Sequence, residues 1–246
     1  MKKKSILYLS LPIILIVIIV LYFFSPYRIL SKFSSSKIVQ WVVDEHQDDV
    51  FSRLGPNFIP FANNIDKTEI SILAFKEEKL LELYARNLDS TDWTLIKTYP
   101  FTSFSGKLGP KLKEGDKQIP EGIYKVESLN PNSSYHLSLR VNYPNDFDKK
   151  MAEKDGRKNL GGDIMIHGKN VTIGCIPIGD QAIEEVFILS AKTIQHSIPI
   201  LISPKDFRAT ENNLIIEGID WEGNLYQLLE EDLKNYGPMP FMVGIP

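Results

Sequence analysis

Ile164-Met165-Ile166-His167-Gly168-Lys169-Asn170-Val171-Thr172-Ile173-Gly174-Cys175-Ile176-Pro177-Ile178 places two short apolar runs on either side of a polar, glycine-containing turn. It holds the only cysteine of the 246-residue chain and one of its four histidines, eight positions apart. Asp163-Ile164-Met165-Ile166 reads as a buried strand that delivers His167 at its end. If Cys175 begins the next strand, the connection can bring a thiol and an imidazole together. A nearby base or a positive environment turns a thiol into a nucleophile. Gly174 permits a tight turn, and the N–H groups of Gly174 and Cys175 are candidate oxyanion donors. Asp180 reads as the N-cap of a helix through about Thr193, whose amino terminus would favour thiolate. The competing reading is a cysteine buried as a small hydrophobe.

Outward from this stretch, strand signals dominate. Glu69–Phe75, a polar turn at Lys76–Lys79, Leu80–Ala85 and Trp93–Tyr99 form a β meander. Gly122–Glu127, Tyr135–Val141 and Ile198–Ile202 are further strands. In Tyr135–Val141 the alternation puts Tyr135, Leu137, Leu139 and Val141 on an apolar face. His136 and Arg140 then fall on the polar face, which borders either solvent or a cleft. Helices are expected over Asp44–Leu54, in the charged segment 145–158, over 180–193, and over 222–236 with Leu225, Leu228, Leu229 and Leu233 at core spacing. The fold class is therefore mainly β with packed helices, α+β. Residues 101–122 are rich in Gly, Pro and Lys, and a loop of that length in a compact domain tends to be functional. Gly106-Lys107 and Gly168-Lys169 lack the spacing of a phosphate-binding loop, which excludes a nucleotide there.

Composition adds a compartment. Residues 1–28 carry Lys2, Lys3, Lys4 and Arg28 and no acids, leaving 24 basic against 31 acidic residues in the rest. An acidic body argues against nucleic acid as a partner. The uncharged run Ser5–Tyr27 would extend roughly 35 Å as a helix, enough to cross a hydrocarbon core of about 30 Å. It ends without a small-x-small cleavage site, so a transmembrane anchor is favoured over a signal peptide. Lys2–Lys4 would stay in the cytoplasm and the remainder would face outside, in the periplasm or cell wall. Structural cysteines outside the cytoplasm usually come in pairs, and this one has no partner. Cys175 with His46, His136, His167 and His196 shows no paired-ligand spacing, so no metal site is expected. The expected domains are 1–28 anchor, 29–65 juxtamembrane linker with a short helix, 66–205 catalytic domain, and 206–246 a helical extension packed on it.

His167-Gly-x-x-x-Thr172-x-Gly174-Cys175 resembles the active-site motif of the L,D-transpeptidase (YkuD) family, and within it the YafK-like branch. Leu108-Gly109-Pro110-Lys111, Gly115-Asp116-Lys117-Gln118-Ile119-Pro120-Glu121-Gly122, Tyr135-His136-Leu137-Ser138-Leu139, Asn142-Tyr143-Pro144-Asn145 and Gly179-Asp180 look like the same branch, over about residues 68–205. The resemblance implies a mixed β sandwich and a cysteine acyl-transfer enzyme acting on peptidoglycan stem peptides. It assigns the nucleophile to Cys175, the base to His167, the carbonyl orienting that base to Gly168 and an oxyanion N–H to Gly174. Thr172, His136, Arg140 and Tyr143 are expected to bind substrate. No cofactor is implied. Ile173 and Pro177 stand where most family members carry a histidine and an arginine. The thioester can therefore pass to an amine, in transpeptidation, or to water, in L,D-carboxypeptidase or amidase action; a non-catalytic wall-binding module is the remaining alternative.

Overall fold

In this computed structural model, residues 26–210 and 213–237 are described, with side chains from residue 36 onward. The elements in chain order are α1 (Pro26–Arg53), α2 (Ile59–Ala62), β1 (Thr68–Phe75), β2 (Leu80–Asn87), β3 (Thr94–Pro100), β4 (Gly122–Ser133), β5 (His136–Val141), α3 (Asp146–Lys154), β6 (Met165–His167), β7 (Ile176–Pro177), α4 (Asp180–Thr193), β8 (Pro199–Ser203) and α5 (Glu222–Leu233). The expected meander is present, with β1 antiparallel to β2 and β2 to β3. Among the described residues, eight strands make one sheet in the order β3-β2-β1-β8-β4-β5-β6-β7.

The expected mixed β architecture is present as a curled sheet whose two arms, β3-β2-β1-β8-β4 and β4-β5-β6-β7, share β4. β4 is twelve residues long; its start pairs with β8 and its remainder with β5. Register shifts at Val126/Ser128 and Asn130/Ser133 interrupt the β4–β5 ladder. Such irregularities bend a strand and sharpen its twist, which lets the sheet curl through β4. The period-2 alternation of β1 explains the layers on either face. Ile70, Ile72 and Ala74 pack with Ile183, Val186, Phe187 and Ile188 of α4, while Leu73 and Phe75 pack with Leu225, Tyr226, Leu229 and Leu233 of α5. Leu228, expected in the core, is 44% exposed.

The segment expected as a juxtamembrane linker is helical through Arg53. Val42, Val43 and Val50 of α1 are buried in the main core, and Arg53 pairs with Glu184 and Glu185 of α4. Apolar packing and paired charge hold this helix; the helix expected over Asp44–Leu54 is its C-terminal part, and only the serine-rich start was missed in the sequence. No helix among the described residues is long and apolar enough to cross a membrane. The Ser5–Tyr27 run lies, apart from its last two residues, outside the described residues.

The long connection between β3 and β4 is fixed by a buried ion pair. Lys76 Nζ donates to Glu121 Oε1 at 2.7 Å and to the carbonyls of Gly109 and Ile119 at 2.9 Å. Glu121 also accepts from Gly109 N and the Tyr226 hydroxyl, both at 2.7 Å. Burial pushes the Lys76 ammonium down and Glu121 opposes that shift. Removing one partner strands a charge in the interior, at about 3–5 kcal/mol. Glu121→Ala should therefore lose about that much in urea unfolding, and Lys76→Met with Glu121→Leu should regain most of it. A single-variant loss below about 1 kcal/mol would contradict the role given to the pair.

Candidate active site

β6 and β7 run parallel, with Ile166 opposite Ile176 and His167 opposite Pro177. Both isoleucines are fully buried in the main core. Alternation turns His167 to the face opposite Ile166, and Cys175 ends the turn that enters β7 one residue before its first paired position. His167 is 2% exposed, and its Nδ1 lies 2.6 Å from the Gly168 carbonyl oxygen. A carbonyl only accepts, so Nδ1 carries the proton and Nε2 is left as the basic nitrogen. The Tyr135 ring packs on the imidazole with centroids 4.6 Å apart. Burial lowers the His167 pKa, and the Gly168 hydrogen bond partly opposes it. A side chain at Gly168 is excluded, because a Cβ there would stand 2.6 Å from Asp180 Oδ1 and 2.7 Å from the Tyr135 carbonyl.

Cys175 is partly buried, with Sγ 3.6 Å from the Asp163 carbonyl oxygen. No hydrogen bond joins it to His167 in this state. Burial pushes the thiol up and the Asp163 charge adds to that, while the Met165 backbone and Lys111 pull it down. The thiol is therefore raised, not lowered as the position of the α4 amino terminus led us to expect. With the imidazole held down and the thiol held up, the resting pair is neutral on both sides.

The turn before the thiol is tied by Thr172. Its Oγ1 accepts from Gly174 N at 3.1 Å and Cys175 N at 2.8 Å, and donates to the Cys175 carbonyl at 2.7 Å. The two N–H groups read as oxyanion donors thus converge on one oxygen, and that oxygen belongs to the protein. Gly174 has φ +135°, and a Cβ on it would lie 3.2 Å from the Gln118 carbonyl. The β3–β4 loop therefore packs directly on the thiol turn.

The other expected residues are spoken for or stand apart. Tyr143 is 4% exposed and its hydroxyl lies 3.2 Å from the Leu160 carbonyl, so it braces a loop instead of facing a substrate. His136 Nε2 lies 2.8 Å from Glu184 Oε1 on α4. Arg140 pairs with Glu127 and Asp163 at an exposed position. Asp180 opens α4 as its first residue after the Gly179 N-cap, and its carboxylate accepts from Lys169 N at 2.8 Å. Four residues beside the site were missed in the sequence: Tyr135, Lys111, Gln118 and Asp163. Lys111 and Gln118 lay in the loop marked as functional and in the stretches that carry the resemblance, but neither was given a role. Tyr135 was assigned to the apolar face of a strand that begins one residue later.

The L,D-transpeptidase catalytic domain family (YkuD) matches residues 70–194, just over half of the chain. YafK of Escherichia coli strain K12 is 34% identical over 150 residues, which cover 59% of this chain and 57% of that protein. The Escherichia coli O157:H7 counterpart matches equally. The chain thus spans under two thirds of the length of the curated relatives it matches. Among solved structures, the helical cell shape determining protein Pgp2 of Campylobacter jejuni aligns at TM-score 0.46 and 18% identity over 76% of each chain. Bd1075 of Bdellovibrio bacteriovorus aligns at TM-score 0.41 and 23% identity, over 68% of this chain and 54% of that one.

Two measurements check this geometry. Alkylation of Cys175 by iodoacetamide should still accelerate above the ordinary thiol pKa of about 8.5; a plateau by pH 8 would contradict a buried, protonated thiol. Thr172→Val removes the shared acceptor of Gly174 N and Cys175 N, an effect of about 1–3 kcal/mol per stranded group. Hydrogen exchange at those two amides should speed up at least tenfold, and unchanged protection would contradict the tie.

Proposed function

Because the chain belongs to the L,D-transpeptidase catalytic domain family, we propose that it is a cysteine acyltransferase acting on peptidoglycan stem peptides outside the cytoplasm. The observation that supports this best is the hydrogen bond from His167 Nδ1 to the Gly168 carbonyl. It leaves Nε2 as the basic nitrogen at the end of β6, and Cys175 immediately precedes β7, the strand paired with β6. The expected residues 1–28 anchor would tether the domain to the membrane.

In this reading His167 Nε2 takes the Sγ proton as sulfur attacks the carbonyl carbon of an amide between an L-centre and a terminal D-residue. The tetrahedral adduct collapses, the imidazolium returns the proton to the leaving amine, and a thioester remains on Cys175. An acceptor amine then gives up a proton to Nε2, attacks the thioester carbonyl and releases the thiol, leaving a new amide bond. Water in the same place would give a carboxylic acid. The depressed His167 pKa suits a base that must be unprotonated at the start. The raised thiol pKa means the proton leaves during attack. Gly174 N and Cys175 N would serve an oxyanion once the Thr172 hydroxyl rotates away. Hydrolysis as the outcome is favoured only by Ile173 and Pro177, which replace the usual histidine and arginine beside the thiol.

Incubation of the full chain with defined wall muropeptides should give an acyl-enzyme visible by intact mass, followed by loss of the terminal D-residue with or without a cross-link. Cys175→Ala should abolish the adduct and the product. His167→Ala should slow acylation about 10²–10⁴-fold. Unchanged products from Cys175→Ala would overturn the proposal.

A further inference from the structure

One groove beside the site differs in charge from the rest of the molecule. It has a volume of about 510 Å³ and lies between the β3–β4 loop, the end of the α3 segment and the turn Ile216–Ile219. Leu108, Leu112, Ile216 and Ile219 supply apolar walls. Lys107, Lys113, Arg157 and Lys158 supply cations, against Asp116 and Glu217. That excess of positive charge sits on a chain whose net charge is −3.

The charges on the walls are not equally available. Asp116 is turned into its own loop, accepting from Lys111 Nζ at 2.5 Å and from Leu112 N, Lys113 N and Gln118 N at 3.0 Å. Arg157 is committed to Asp155 and the Leu112 carbonyl. Lys107, Lys113 and Lys158 are exposed, and no carboxylate among the described residues pairs with them. Glu217 is exposed at the rim, the only other acid on the wall. The groove is also built rather than incidental. Ile216 N donates to Glu222 Oε1 at 3.0 Å, and a Cβ on Gly109 would be 3.4 Å from Ile216 Cγ2. The Ile216–Ile219 wall lies beyond residues 70–194, so the matched family domain does not supply it.

Both floor segments lead to the thiol. Gln118 lines the groove, and its carbonyl packs against Gly174. Five residues after Lys158 the chain reaches Asp163, whose carbonyl touches Cys175 Sγ. The geometry points to this groove as the seat of a peptide that carries free carboxylates between aliphatic side chains and runs up to Cys175. The lysines select its charge and the isoleucines its side chains. This deepens the acyl-transfer reading of Cys175 and rests on it.

The test uses the full chain with Cys175→Ala, so that binding is read without turnover, and a fluorescent wall tetrapeptide with free or amidated carboxylates. At low ionic strength amidation should weaken binding about tenfold, and added salt should erase the difference. Lys107→Gln with Lys158→Gln should weaken only the free-carboxylate peptide, and Lys107→Arg with Lys158→Arg should restore it. Equal affinity for the two peptides would overturn the assignment, and so would a glutamine variant that weakens both alike. The two readings fail separately. Wild-type acylation rates in the glutamine variant would sink the groove and leave the thiol chemistry standing. Carboxylate-dependent binding with no acyl-enzyme on the native thiol would sink the chemistry and leave the groove.

Discussion

The pairing of Ile166 with Ile176 is the constraint on which the site depends. Two short parallel strands would be weak alone, but both isoleucines are fully buried in a core shared with α4. Because strand side chains alternate, burying these two obliges His167 to face the other way and fixes where the turn carrying Cys175 enters β7. A one-residue slip would displace the isoleucines from that core, at a cost of about 1.5–3 kcal/mol for each one exposed. Core packing therefore sets the register, and the register sets which face carries the chemistry.

The same burial that fixes the pair also sets its protonation. Burial disfavours charge on either partner, which moves the imidazole down and the thiol up. A resting thiolate–imidazolium pair would need water or further charge, and the site offers the thiol only the Met165 backbone and Lys111. In the proposed reaction, proton transfer coupled to attack would avoid holding two buried charges. Tyr135 contributes by packing its ring against the imidazole.

Much of this was legible in the sequence, and the failures share causes. The meander, the β5 and β6 strands, α4, α5 and the placement of His167 at a strand end follow from periodicity and turn residues. The curl of the sheet was not legible, because it comes from register shifts within β4 that no local pattern encodes. The C-terminal part of α1 was expected, but its earlier start was masked by serines, while its packing rests on tertiary contacts at Val42, Val43 and Val50. The Lys76–Glu121 pair was equally hidden. Lys76 looked like the first residue of a polar turn, yet it is 1% exposed and holds a loop more than forty residues away.

Thr172 and Tyr143 commit their hydroxyls to backbone for a common reason. A buried backbone N–H or carbonyl without a partner costs about 1–3 kcal/mol at all times, whereas a substrate contact contributes only when substrate is bound. Where a turn must pass through a crowded interior, nearby hydroxyls are drawn to the backbone. Thr172 caps Gly174 and Cys175, and Tyr143 braces the Leu160 loop. Side chains left for a ligand are then those whose groups water already satisfies at the surface, long cations above all. Lys107, Lys113 and Lys158 meet that condition and stand on the loops that the buried Lys76–Glu121 pair and the Arg157 contacts hold in place. Recognition at this site therefore rests on exposed charge carried by rigidly pinned backbone, and the hydroxyls nearest the thiol keep that backbone pinned.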